Sequence, residues 1–332
     1  MVADSNFLTS KSSTMNSKVA AFAILLLGYT GQATGTFTQN PKFSIIPFKL
    51  AGKLVYVKAW ANGRPGNFII DTGLQGVLLN NRYFEGERSS RVVYGINGQA
   101  KEVGVKYVSL RLEKINFPQA LAEVAGLNHI EEQIPGTPIM GLIGGDFFMD
   151  YELAFDFTQG EMTLCRLDEK GRKLNPPLPY AAPSDTVRIE FKGHLPCIKA
   201  QVGEEVLCFA IDSGSGPNVL HQKCLKKVAA HLKNQKAIQI LGLSQQREPA
   251  IIGTLTGLQL GNVAYLPMET IVMSIAHFNN TLFGPQLDGI LGFHFLRQYK
   301  IAINLKRKEL YLWCERKKNV DPAPIDLVVK KQ

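Results

Sequence analysis

Phe68-Ile69-Ile70-Asp71-Thr72-Gly73 and Cys208-Phe209-Ala210-Ile211-Asp212-Ser213-Gly214 are two apolar runs, each ending in an aspartate, a hydroxyl residue and a glycine. An apolar run of this kind reads as a buried strand. Its terminal carboxylate is carried to the edge of a core where water is scarce. The glycine next but one lets the backbone turn, and the Thr72 or Ser213 hydroxyl can bond a neighbouring backbone group. Such a triplet arises by chance at roughly one position in two or three thousand, and a lone copy is more often a turn. Two copies, each closing a strand, point to a pair of carboxylates meeting across a pseudo-twofold axis.

The rest of the chain repeats with them, and repeats come before fold. Gly141-Leu142-Ile143-Gly144-Gly145-Asp146-Phe147-Phe148 aligns without a gap on Gly289-Ile290-Leu291-Gly292-Phe293-His294-Phe295-Leu296, an offset of 148 residues. Tyr151–Phe157 then matches Tyr299–Leu305, and Glu161–Leu164 matches Glu309–Leu312. The two aspartates are 141 residues apart, so the second half carries a seven-residue insertion between its aspartate and its apolar-apolar-Gly strand.

Asp-Thr/Ser-Gly followed by an apolar-apolar-Gly strand and a short helix resembles the aspartic proteases. The wording Asp288-Gly289-Ile290-Leu291-Gly292-Phe293-His294-Phe295-Leu296 looks most like the bacterial retropepsin-like group. The resemblance covers most of residues 45–314 and appears twice. It implies a mostly-β, bilobed pepsin/retropepsin-like fold from two β-barrel-like halves in one chain. It also implies Asp71 and Asp212 as the catalytic dyad, with Thr72, Gly73, Ser213 and Gly214 supporting it. Ser215-Gly216 fits the small residues the family carries next; Leu74-Gln75 departs from them. That departure leaves open a crowded subsite, a narrowed specificity or a degenerate site.

Two carboxylates in hydrogen-bonding contact cannot both ionise easily, so the pair holds one proton over a range of acidic pH. The ionised member can take a proton from an attacking water while the protonated member donates to the scissile carbonyl. This is peptide hydrolysis without metal or cofactor. The expected function is an aspartic endopeptidase acting on an extended peptide or protein. The rival from another class is a peptide-binding protein of the same fold without the chemistry. A structural envelope protein, in which both triplets are only turns, leaves their pairing unexplained.

Taken in order, the chain has two candidate starts, Met1 and Met15. Lys18, the apolar run Val19–Leu27 and the small residues of Gly31-Gln32-Ala33 read as a secretory signal within residues 1–35, so export is expected. The first lobe is read at 36–167, a Pro-rich linker at 168–186, the second lobe at 187–314 and a basic tail at 315–332. Leu54–Trp60, the Asn62-Gly63 turn and Asn67–Ile70 predict a hairpin that delivers Asp71. Residues 91–100 read as a second hairpin with glycine at its tip, where the family carries its flap; Tyr94 and Gly95 are its substrate-facing candidates, and a plain exposed hairpin is the alternative. Leu241-Gly242-Leu243-Ser244 offers a second flap or a loop. His221–Gln235 reads as a basic helix-like stretch, and His129 with Glu131-Glu132 as a solvated loop.

Five cysteines contain no C-x-x-C, so a zinc or redox reading is weak. A two-residue turn pairing Gln201 with Glu204 places Cys197 opposite Cys208, which makes that pair the disulfide candidate in an exported protein; free buried thiols are the alternative. Residues 306–332 carry eight Lys/Arg and four acids, +4 of the net +9. A basic tail fits a weak contact with an anionic envelope surface or a solvated end. No nucleic-acid motif or phosphate loop is found, and a monomer is expected.

Overall fold

The computed structural model describes residues 25–26, 41–95, 100–174, 182–241, 247–276 and 287–314. The expected signal segment (apart from Leu25 and Leu26), the tips at 96–99 and 242–246, and the basic tail lie outside them. Among the described residues the elements are almost all strands, with a few helical turns of three or four residues.

The chain builds the same motif twice. In the first half, Leu54–Ala61 and Arg64–Asp71 form the expected hairpin, closed by Ala61 opposite Arg64 with Asn62 and Gly63 both at positive φ. That double left-handed turn matches strand twist, which is why Asn-Gly specifies it. Ile139–Gly144 then runs parallel to Arg64–Asp71, with Gly144 opposite Asp71, and antiparallel to Val77–Asn80. In the second half, Gly289–Leu291 lies parallel to Glu205–Ile211, with Leu291 opposite Ile211, and antiparallel to Asn218–His221. Each inserted strand is buried throughout, as continuous apolar runs predict. Its glycine is steric. A Cβ on Gly141 would lie 2.5 Å from the Leu78 carbonyl, and one on Gly289 would lie 2.3 Å from that of Val219.

A six-stranded layer joins the halves, in the order Asp185–Arg188, Glu309–Trp313, Lys300–Asn304, Tyr151–Asp156, Glu161–Arg166, Phe43–Ala51. At its centre Ala154 pairs with Ala302, its own counterpart at the repeat offset of 148, within an antiparallel register running from Glu152–Asn304 to Phe155–Ile301. An antiparallel pair in which a residue faces its own counterpart is one through which a twofold passes. The axis inferred from the repeat therefore runs through this alanine pair. One large core spans both halves and this layer, from Ile46 and Phe68 to Phe209, Phe295 and Leu312.

Several expectations need correction. His221–Gln235 is not a helix: a strand ends at His221, two short 3-10 turns follow, and Leu232–Leu241 is a strand pairing with Arg247–Leu255. Its lysines imitate a helical charge face, but Ile238 and Ile240 alternate with Gln239 as a strand does. Glu131 is not solvated. It accepts from the Tyr83 hydroxyl and the Ile139 backbone N–H, both at 3.0 Å, and pairs with Arg82, so it pins the loop that feeds the inserted strand. In the segment read as linker, Asp168 folds back onto the backbone N–H groups of Lys170 and Arg172; residues 175–181 lie outside the described residues. The joining layer already begins at Asp185.

The Cys197–Cys208 register is also displaced. The turn closes between Val202 and Glu205, so Cys197 faces Ala210 and Cys208 faces Lys199. Gly203 is the first of the two turn residues, in the left-handed region (φ +62°), where the expected register makes it the second. All five cysteines are free thiols. Cys197 and Cys208 are diagonal neighbours in the same apolar cluster, and the Cys197 thiol bonds the Leu195 carbonyl at 3.5 Å.

Candidate active site

The two triplets meet on the axis. Asp71 ends the strand Arg64–Asp71, and Asp212 follows Glu205–Ile211 directly. The Thr72 N–H donates to Ser213 Oγ and the Ser213 N–H donates to Thr72 Oγ1, each at 3.0 Å. Each hydroxyl then donates across the axis, Thr72 to the Ile211 carbonyl at 3.0 Å and Ser213 to the Ile70 carbonyl at 2.7 Å. Four reciprocal bonds therefore tie the halves directly beneath the aspartates, and all four need a hydroxyl at the middle of the triplet.

Replacing Thr72 by valine keeps the shape but strands the Ser213 N–H and the Ile211 carbonyl in a buried site. The expected cost is about 1–3 kcal/mol for each stranded group, whereas serine at the same position should stay close to wild type. Denaturant melts of Thr72→Val and Thr72→Ser check this; equal midpoints would contradict it.

The carboxylates cross over the facing glycines. A Cβ on Gly73 would lie 2.7 Å from Asp212 Cγ, and one on Gly214 would lie 2.3 Å from Asp71 Cγ. Asp71 Oδ1 accepts from the Gly73 N–H at 3.0 Å and Asp212 Oδ1 from the Gly214 N–H at 2.8 Å. Both side chains are sealed from solvent, at 0% and 1% exposure. Burial raises the Asp71 pKa well above the carboxylate range, and the neighbouring Asp212 raises it further. Burial also raises that of Asp212, against the lowering hydrogen bonds from Asp71 and the loop N–H groups. Asp71 Oδ2 is buried without a donor. One proton held between the two carboxyls supplies that donor and removes the repulsion, so the singly protonated pair is the state this pocket favours.

Of the other sequence candidates, Tyr94 and Gly95 end the strand Val92–Gly95, which pairs with Ala100–Glu102 in the expected hairpin. The outer edge of that hairpin pairs antiparallel with Leu25 and Leu26. The Leu74 side chain is buried in a core cluster with Ile69, Leu78 and Leu142. At the same position in the second half, Ser215 bonds the Pro217 carbonyl instead.

Two side chains beside the triplets escaped the sequence reading. His194 Nε2 bonds the Gly73 carbonyl at 3.0 Å, and Lys53 reaches from the first half to Glu269 of the second. The signal for both was present: the 141-residue offset of the aspartates, carried back along the hairpins, pairs Lys53 with His194.

No family model and no curated protein matches this chain. Among solved structures it is similar to EDGP, with a TM-score of 0.51, 10% identity, and coverage of 83% of this chain and 95% of that one. It is also similar to basic 7S globulin from soybean, with a TM-score of 0.47, 11% identity, and coverage of 82% and 95%. The fold is bilobed and pepsin-like. At these identities the pepsin-like likeness extends to architecture and no further.

Proposed function

We propose that this pepsin-like chain is an aspartic endopeptidase in which Asp71 and Asp212 activate one water. The observation that carries the reading is the crossed, buried carboxylate pair sharing one proton site, clamped by Thr72 and Ser213. A water on the axis would lose a proton to the ionised carboxylate as it attacks the scissile carbonyl. The protonated carboxylate would give its proton to the carbonyl oxygen; as the resulting gem-diol collapses, a hydroxyl proton would return to that carboxylate and the proton taken from water would pass from the other carboxylate to the leaving amine. No covalent intermediate is needed.

Because the pair is sealed, a substrate must displace what covers it. The hairpin of Val92–Gly95 and Ala100–Glu102 is our candidate for the moving part, with Tyr94 and Gly95 lying against an extended substrate. The finer assignment, to the retropepsin-like group, rests on the Asp288–Leu296 wording, and export rests on the N-terminal apolar run. The rival reading, a binding protein without the chemistry, draws on the sealing of the carboxylates.

Hydrolysis of an unbiased peptide mixture from pH 3 to 7, with and without a statine-type inhibitor, separates the two. Expected is inhibitable cleavage with a bell-shaped pH profile, rising as the pair loses its first proton and falling as it loses the second. Since burial moves both carboxyls upward, the falling limb should lie above the ordinary carboxylate range. Inhibitor binding without cleavage at any pH would select the binding protein.

A further inference from the structure

Lys53 and His194 occupy the same place in the two halves. Each follows a glycine in the left-handed region, Gly52 and Gly193, both at φ +60°. Each stands at a hairpin tip that crosses the axis onto the other half's aspartate loop. There the symmetry ends. Lys53 lies over Gly216, where an added Cβ would come 3.4 Å from its own, and its ammonium passes the loop to pair with Glu269. His294 Nε2 sits 3.5 Å from the same carboxylate. His194 instead bonds the loop itself, at the Gly73 carbonyl.

A carbonyl only accepts, so Nε2 of His194 carries the proton in this contact. Burial lowers the His194 pKa, which favours the neutral ring. The peptide it holds is the one whose N–H, at Leu74, donates to the Asp71 carbonyl at 3.1 Å. The preceding N–H, at Gly73, donates to Asp71 Oδ1. His194 thus anchors the far end of the loop that clamps Asp71, whereas among the described residues Lys53 packs against the loop after Asp212 and its ammonium bonds Glu269 rather than that loop. Beside it lies a crevice lined by Gln75, Asp146, Phe191 and Pro196, in which Asp146 is committed to the Gly76 N–H at 2.7 Å.

We propose that His194 is a positioning residue for Asp71, fixing the Gly73–Leu74 peptide from across the axis and making the two aspartates inequivalent. The consequence for turnover rests on the peptidase reading; the consequence for the loop does not.

The test uses the full chain with His194→Ala, His194→Gln and Lys53→Ala. In His194→Ala, amide exchange at Gly73 and Leu74 should rise about tenfold, the equivalent of a lost hydrogen bond. kcat should fall about tenfold with KM within about twofold. Gln restores an N–H at similar reach and should recover most of both losses, while Lys53→Ala should leave loop exchange unchanged. In the wild type, 15N shifts should report the Nε2–H tautomer of His194, a readout that survives if the alanine variant does not fold. A folded His194→Ala with wild-type exchange at Gly73 and Leu74, or an Nδ1–H tautomer, overturns the proposal. A wild type that hydrolyses nothing sinks the peptidase reading alone, because exchange and tautomer still decide this one.

Discussion

Asp71→Asn and Asp212→Asn are each expected to lower hydrolysis by about 10³-fold and, at neutral pH, to raise stability. The loss follows from the chemistry: an amide can neither take a proton from water nor hold one to donate. The gain follows from burial. Both carboxyls titrate higher in the folded chain than the value near 3.9 of an unfolded aspartate. The folded state therefore binds protons more tightly than the unfolded one. The stability this contributes is full at pH below the unfolded value and is lost as pH rises through the raised native range. An amide removes the titration and the repulsion together, and in Asp212→Asn its N–H groups give Asp71 Oδ2 the donor it lacks. The melting temperature of wild type should fall between about pH 4 and 7 while that of either variant stays flatter, with a gain of about 1–3 kcal/mol at pH 7. Activity retained in either variant would sink the mechanism. A variant less stable than wild type at pH 7 would show that the pair is not strained by shared charge.

How much of this was readable without coordinates depends on what kind of signal each element left. The two triplets and the 148-residue repeat are written in residue types, because a buried strand must be apolar and a strand wedged against a carbonyl must be glycine at Gly141 and Gly289. The Asn62-Gly63 turn was legible for the same reason: few other pairs take two left-handed residues in succession. Registers were not. Moving the Gly203 turn by one position changes no residue type, yet it takes Cys208 from a position facing Cys197 to one facing Lys199. Contacts across the axis were hidden too, since Lys53 and His194 are ordinary turn residues until the repeat is used to superpose them. Glu131 looked solvated because its three partners, Arg82, Tyr83 and Ile139, are brought to it only by the fold.

The glycines of the triplets make the sharpest structural claim. An alanine Cβ at Gly214 would sit 2.3 Å from Asp71 Cγ and 2.4–2.5 Å from its two oxygens. Asp71 cannot step aside, because Oδ1 is held by the Gly73 N–H and the chain beneath it is tied to Ser213. Gly214→Ala should therefore push the halves apart at the axis, costing about 3 kcal/mol, the upper end for overpacking, and at least about 10²-fold in kcat through misplacement of the pair. Gly63→Ala is the control. It meets nothing within 4 Å but keeps φ at +77°, so it should cost only the local backbone strain of about 1–2 kcal/mol and leave kcat untouched. Shortening the opposing side chain tests the cause. In Gly214→Ala combined with Asp71→Ala the side chain ends at Cβ, the three atoms that the new methyl group would meet are gone, and the double variant should be more stable than Gly214→Ala alone by most of the overpacking cost, while remaining inactive. Additive losses in the double variant would mean that the two residues do not meet across the axis, and the crossed arrangement on which the proposed chemistry depends would have to be abandoned.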